Sequence, residues 1–357
     1  MALKIKFLPL IATFALLSVG CKDDAKPAAP VESADVIVLN RGVTPGGVGS
    51  ISIYDPLARE VEQNVFQKIN TYNMGSLAQS VLVDGEITFV VVSGEGVVYI
   101  LNTEDLTVID KIQGMETPRY VVKATPSKYY ISDWGISGVH VLNLKTRKLV
   151  REIETGAGPE NMLIYEDRLF VVNSGGIKDG LLQSDSTVTV IQTETDTIMD
   201  TLYVGENPTS LQIDKNNKIW VLSPGITKIP VETSSHGFLH TIDADSIEVL
   251  DTLKFANNLL KPRYLKIDEA GENLYFLSDV AEADIYKHPV ESMVLPIVSF
   301  IPGNFNCLEY DSGEERLYAG DRRNGNEPGV VRVFGIDGAE IDQFECGFFP
   351  INFGFKR

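Results

Sequence analysis

A phrase that keeps returning limits what this chain can become. Pro262-Arg263-Tyr264-Leu265-Lys266-Ile267-Asp268 reads as a proline-led strand, followed by a polar turn over 269–272 and a second strand, Asn273–Ser278. Two more short strands are expected before Ile301, and four strands in about forty residues make one propeller blade. The phrase recurs as Pro118-Arg119-Tyr120-Val121-Val122, Pro159-Glu160-Asn161-Met162-Leu163-Ile164-Tyr165 and Pro208-Thr209-Ser210-Leu211-Gln212-Ile213-Asp214. Without the proline it is Ala78-Gln79-Ser80-Val81-Leu82-Val83-Asp84 and Phe305-Asn306-Cys307-Leu308-Glu309-Tyr310-Asp311, and the last copy is Pro350-Ile351-Asn352-Phe353-Gly354-Phe355. The copies start 40, 41, 49, 54, 43 and 45 residues apart. The surplus belongs to loops.

The last copy ends after one strand, whereas residues 35–66 hold three strands and lack the opening one. The two ends complete one another. The expected fold is therefore all-β, a seven-bladed β-propeller closed by pairing the C-terminal strand with the N-terminal blade, which leaves no open edge between first and last blades. Residues 35–357 number 323, about 46 per blade, so a second domain is not expected. Period-2 runs such as Ile87-Thr88-Phe89-Val90-Val91-Val92 and a hydrophobic content of 44% supply cores between blades.

Residues 1–20 read as a secretory leader: they hold two lysines, Lys4 and Lys6, and an apolar run from Ile5 to Val19 that is too short to anchor. Leu17-Ser18-Val19-Gly20-Cys21 resembles a bacterial lipobox, with Ser18 where Leu is commoner. That resemblance implies lipidation at Cys21; ordinary leader cleavage leaving a thiol is the alternative. Lys22-Asp23-Asp24 resembles the signal that sends Bacteroidota lipoproteins to the outer face of the outer membrane, and a plain solvated tether is its alternative. Residues 21–34, rich in Ala and Pro, read as a spacer. Losing Lys4 and Lys6 takes the formal charge from −18 to about −20, a surface that repels nucleic acid and anionic lipid.

Loops sort by face. Turns such as Asp84-Gly85-Glu86, Asp214-Lys215-Asn216-Asn217 and Asn143-Leu144-Lys145-Thr146 suit tight scaffold turns. The loops 40–49, 133–138, 173–186, 223–237 and 321–329 are longer, irregular, and share the face on which the inner strands begin. Binding on a rigid frame is expected there. Arg41, Arg119, Arg263, Arg322 and Arg323 fall on this mouth face, where planar guanidinium groups favour an anionic or acceptor-rich ligand. The Pro-Arg-Tyr arginines have a second reading, as braces to neighbouring blades. Tyr72, Tyr120, Trp134, Tyr264, Phe348 and Phe349, with Gln79, Asn161, Asn173, Asn306 and Asn352, add flat apolar contacts and fixed polar groups. Phe353 and Phe355 are read as plugs of the channel.

Chemistry is less visible. His236 and His240 stand four apart in a Gly- and Ser-rich loop, not on a helix, and with His140 and His288 they suggest no metal site. No nucleophile elbow, P-loop or Cys–His pair is present, so neither enzyme nor cofactor is expected. An exported chain permits a Cys307–Cys346 disulfide, yet the two strands lie on opposite sides of a blade, and buried free thiols are the alternative.

The phrases Gly205-Glu206-Asn207-Pro208-Thr209-Ser210-Leu211-Gln212-Ile213-Asp214 and Val139-His140-Val141-Leu142-Asn143-Leu144-Lys145-Thr146-Arg147-Lys148-Leu149-Val150 resemble YVTN-type, YncE-like propeller repeats. Together with the lipobox, Ala78-Gln79-Ser80 and Thr117-Pro118-Arg119-Tyr120, the chain resembles Bacteroidota surface lipoproteins of the DUF5074 group over residues 35–357. That group includes cobalamin-capturing proteins seated over a TonB-dependent transporter. The resemblance implies a capture protein on the outer membrane surface, with cobalamin as first ligand, a transporter as partner, and attachment through the N-terminal lipid. A ferric siderophore as ligand, or a protein- or glycan-binding surface module, are the alternatives.

Overall fold

Strands that stay buried along both faces set the architecture. Asp35–Asn40, Ile87–Val92, Lys128–Asp133, Arg168–Asn173, Lys218–Ser223, Asn273–Ser278 and Arg316–Asp321 are buried at nearly every position. A strand without a wet face needs cover on each side, and here the neighbouring blades supply it. The outermost strands show the opposite pattern, Thr197–Tyr203 being exposed at nearly every residue.

The computed structural model describes residues 34–43, 47–178, 180–278 and 283–357. The leader 1–20, the lipidation at Cys21 and the tether, save Ala34, lie outside the described residues. Ser33–Arg357 make one compact unit. Among the described residues, seven blade sheets follow one another along the chain, six of four strands and one of three, and a two-stranded ribbon pairs Ile177–Lys178 with Leu181–Leu182. Blades are numbered here from the one that opens at Ala78. Their inner strands are Ala78–Asp84, Pro118–Thr125, Pro159–Tyr165, Ser210–Ile213, Arg263–Ile267, Cys307–Asp311 and Pro350–Lys356. Each packs on the next and the last packs on the first, closing a ring.

Closure takes the expected form. Pro350–Lys356 pairs antiparallel with Asp35–Asn40, setting Phe353 opposite Val38 and Phe355 opposite Val36. No outer edge remains between the first and last blades.

Two expectations are corrected. The fifth blade has three strands, Arg263–Ile267, Asn273–Ser278 and Asp284–Pro289. Where a fourth would run, an isolated bridge joins Ile301 to Ile285, because Pro296 and Pro302 cannot donate to a ladder. Phe353 and Phe355 do not plug the channel. They pack on Tyr318 at ring distances of 6.1 and 5.3 Å, in the core between sixth and seventh blades. Alternation explains this: successive side chains of an inner strand leave toward opposite faces, and those faces are neighbouring blades.

Cys307 and Cys346 are buried free thiols in that same core. Burial holds both far from ionisation, pushing Cys346 up to about 12.

Candidate functional site

The proline-led phrase does more than start a strand. Pro118 pairs with Asp133 and Val121 with Ile131, so one extra residue is accommodated between them. The same bulge recurs between Pro159 and Met162, between Arg263 and Lys266, and between Ala78 and Ser80. A regular strand would send neighbouring side chains to opposite faces; a bulge lets both turn inward. Arg119 with Tyr120, Glu160 with Asn161, and Arg263 with Tyr264 therefore line one cavity of about 230 Å³ at the channel mouth. Arg41, Gln79, Thr209, Ser210, Leu265, Lys266, Ile351 and Asn352 complete its wall.

On one side a polar network is closed. The Arg119 guanidinium gives Nη2 and Nε to the two oxygens of Glu160, at 2.9 and 3.3 Å, and Nη1 to Gln79 Oε1 at 2.7 Å. Its flat face lies 4.1 Å from the Trp134 ring. The Trp134 turn is held in place by Asp133, which accepts bonds from the Glu116, Thr117 and Gly135 amides and meets His140. Glu160 is 6% exposed, and burial lifts its carboxyl above the ordinary range although Arg119 opposes the shift. Lys266 is likewise answered, by Glu309 at 2.7 Å.

The other side is different. Arg41 makes no ion pair among the described residues, and its Nε is buried without an acceptor. Burial and the like charge of Arg119 both lower its pKa. Thr209 Oγ1, across the ring, is also buried without a partner. Tyr264 stands in the left-handed region at φ 56°, a conformation costly for a bulky side chain. Burial raises the Tyr120 and Tyr264 phenols well beyond their ordinary value, so both remain protonated donors at neutral pH.

Of the residues expected on this face, Arg41, Gln79, Arg119, Tyr120, Asn161, Arg263, Tyr264 and Asn352 come together at the cavity. The rest are placed elsewhere. Tyr72 packs on Phe66 and Tyr99. Trp134 lies behind Arg119 and under Gly176. Asn173 is fully buried against Thr187 and Thr189. Asn306 donates to the Pro350 carbonyl, bracing the sixth and seventh blades. Arg323 pairs locally with Glu327 and Glu345, while Arg322 stacks over Phe349. These seven are drawn away because they sit in loops or blade cores, not on an inward bulge. Asn352 itself accepts the Val81 amide at 2.8 Å, joining last blade to first. Glu160 was not expected; it shares its repeat position with Arg119 and Arg263, and that position was the signal.

The histidines belong to the scaffold. His240 Nε2 accepts the Gly205 amide at 2.7 Å, so Nδ1 carries the proton toward Thr252 Oγ1. His236 bonds the Phe255 carbonyl. Among the described residues no three His, Cys, Asp or Glu side chains gather as metal ligands would. No described helix is long and apolar enough to cross a membrane.

Comparison with known proteins adds family and fold. The profile of a domain of unknown function, DUF5074, matches residues 36–313. Antigen Lp49 of Leptospira interrogans is 29% identical over 141 residues, a match spanning 37% of this chain and 30% of that protein. A quinonprotein alcohol dehydrogenase-like protein from Bacteroides thetaiotaomicron superposes with TM-score 0.69 at 13% identity, covering 92% of this chain and 79% of its own. The periplasmic gluconolactonase of Pseudomonas aeruginosa gives 0.64 at 13% identity, over 91% and 99%. At such identities the likeness concerns the propeller alone.

Proposed function

The chain belongs to the DUF5074 family, and from that premise we propose that it is a ligand-capturing propeller whose working part is the channel mouth. The observation that carries this reading is the convergence of Arg41, Arg119 and Arg263 with two protonated phenols on one cavity of an acidic protein. Guanidinium forks and phenol donors hold acceptor-rich ligands well. They are poor proton shuttles, because neither group changes charge near neutral pH. Capture rather than catalysis fits that inventory.

The leader and lipobox support export and anchoring at the outer membrane surface, and the antigen among the relatives agrees with a surface position. In this reading the mouth holds a nutrient and presents it to a TonB-dependent transporter. Cobalamin or a related corrinoid is the first ligand, carried by the resemblance to cobalamin-capturing surface lipoproteins. The arginines favour a second, a ferric siderophore with anionic catecholates.

Calorimetric titration of the purified protein with cyanocobalamin and, in parallel, ferric enterobactin separates these. Tight one-to-one binding of the first is the expected result; binding of the second alone moves the function to iron uptake. Neither ligand binding at micromolar protein would overturn both proposed nutrients and favour a protein- or glycan-binding module.

A further inference from the structure

Four cations line the mouth, and among the described residues only Arg41 is left unanswered, since Arg263 donates to the Phe305 carbonyl. Arg119 spends three of its donors on Glu160 and Gln79, and Lys266 holds Glu309. Arg41 lines the same cavity with no carboxylate partner among the described residues and with Nε buried and unbonded. A buried donor on a charged group left without an acceptor costs more than its bond would return in water, and it resolves when an anion arrives. Its position is fixed by the scaffold, since the Arg41 amide donates to the Phe349 carbonyl at 2.9 Å. Thr209 Oγ1 is a second unbonded polar atom on the cavity wall, three blades away, so a ligand spanning the mouth meets both.

We infer that Arg41 is the anion anchor of the mouth: it receives one oxyanion group of the captured molecule, a phosphate or a carboxylate, while Glu160 keeps the fork of Arg119 occupied. The inference rests on the capture reading and narrows it to ligands carrying such a group on a part small enough to enter a cavity of about 230 Å³. Glu160 acts as a built-in counter-anion. It braces Arg119 and keeps that fork from taking a second anion.

The test is calorimetric titration of inorganic phosphate into the purified protein in a chloride buffer at neutral pH. Saturable binding of one phosphate is expected, weakened about tenfold or more by Arg41→Gln, the scale of one charge-assisted bond. Arg322→Gln, at an exposed arginine stacked on Phe349, should leave it unchanged. Glu160→Gln should strengthen phosphate binding or add a second site, because it frees Arg119. Thermal unfolding of each variant separates lost binding from lost fold. Wild-type phosphate affinity in a folded Arg41→Gln protein, or no saturable binding to the wild type at millimolar phosphate, would overturn the anchor. Cyanocobalamin bound equally well by wild type and Arg41→Gln would overturn it too, yet leave capture standing. Phosphate bound through Arg41 without binding of either nutrient would support the anchor and count against the proposed ligands.

Discussion

The two sides of the mouth carry the same residue type in opposite conditions. Between the second and third blades Arg119 is enclosed: a carboxylate on its fork, an amide on its third nitrogen, an indole against its face. On the seventh blade Arg41 is half-buried and has none of that support among the described residues. A satisfied charge holds blades together, whereas an unsatisfied one waits for something from outside. The repeat decides where a side chain points; its neighbours decide whether it serves structure or ligand.

Removing Arg119 should have the largest effect. Arg119→Ala leaves the buried Glu160 carboxylate uncompensated, at a cost of about 3–5 kcal/mol in urea unfolding. The pH dependence follows. Burial raises the folded-state Glu160 pKa, so its contribution to stability is present at and below the ordinary carboxylate range and is lost as pH rises through the folded value. Arg119 opposes that shift, so Arg119→Ala should move the window further upward in pH-dependent unfolding.

The histidines repeat the contrast at the next scale. His140 and His240 occupy equivalent third-strand positions, but His140 meets Asp133 at 3.1 Å and His240 has no carboxylate. His288, beside Trp220, is fully buried. Burial lowers His240 and His288 to about 4. Each is neutral in the fold, so its contribution is complete above the unfolded value of 6.5 and disappears as pH falls through about 4. The loss is on the order of 3 kcal/mol per residue. Acid unfolding curves of His288→Phe should be flatter than wild type across that interval.

The smallest effect is expected at Arg41. Arg41→Gln removes a buried charged donor that nothing in the described protein answers, so the variant should be unchanged or more stable, by about 1 kcal/mol, in urea unfolding. A loss of several kcal/mol would place Arg41 with Arg119 among the braces.

Much of this was legible in the chain. The recurring phrase carried seven blades and their closure, because each copy must supply an inner strand and the ends supply complementary fractions of one blade. The eight residues that meet at the cavity were mostly those inside or next to that phrase. The missing fourth strand was not legible, since Val294-Leu295-Pro296-Ile297-Val298 has the apolar content of a strand and its prolines are tolerated at blade edges. The bulges were invisible to a two-residue alternation, and they are what brings Glu160 in beside Asn161. Tyr72, Asn173 and Arg323 were misplaced because a loop's face says little about where its side chains settle.

The most direct test of capture at the mouth is to fill it. Asn161 is half-buried on the cavity wall, and Asn161→Trp would occupy the space. Titrated with whichever of cyanocobalamin or ferric enterobactin the wild type binds, the folded variant is expected to lose at least about 1.4 kcal/mol of binding free energy, a tenfold weaker affinity. Binding at full wild-type affinity with the mouth filled would contradict the assignment of this cavity as the capture site.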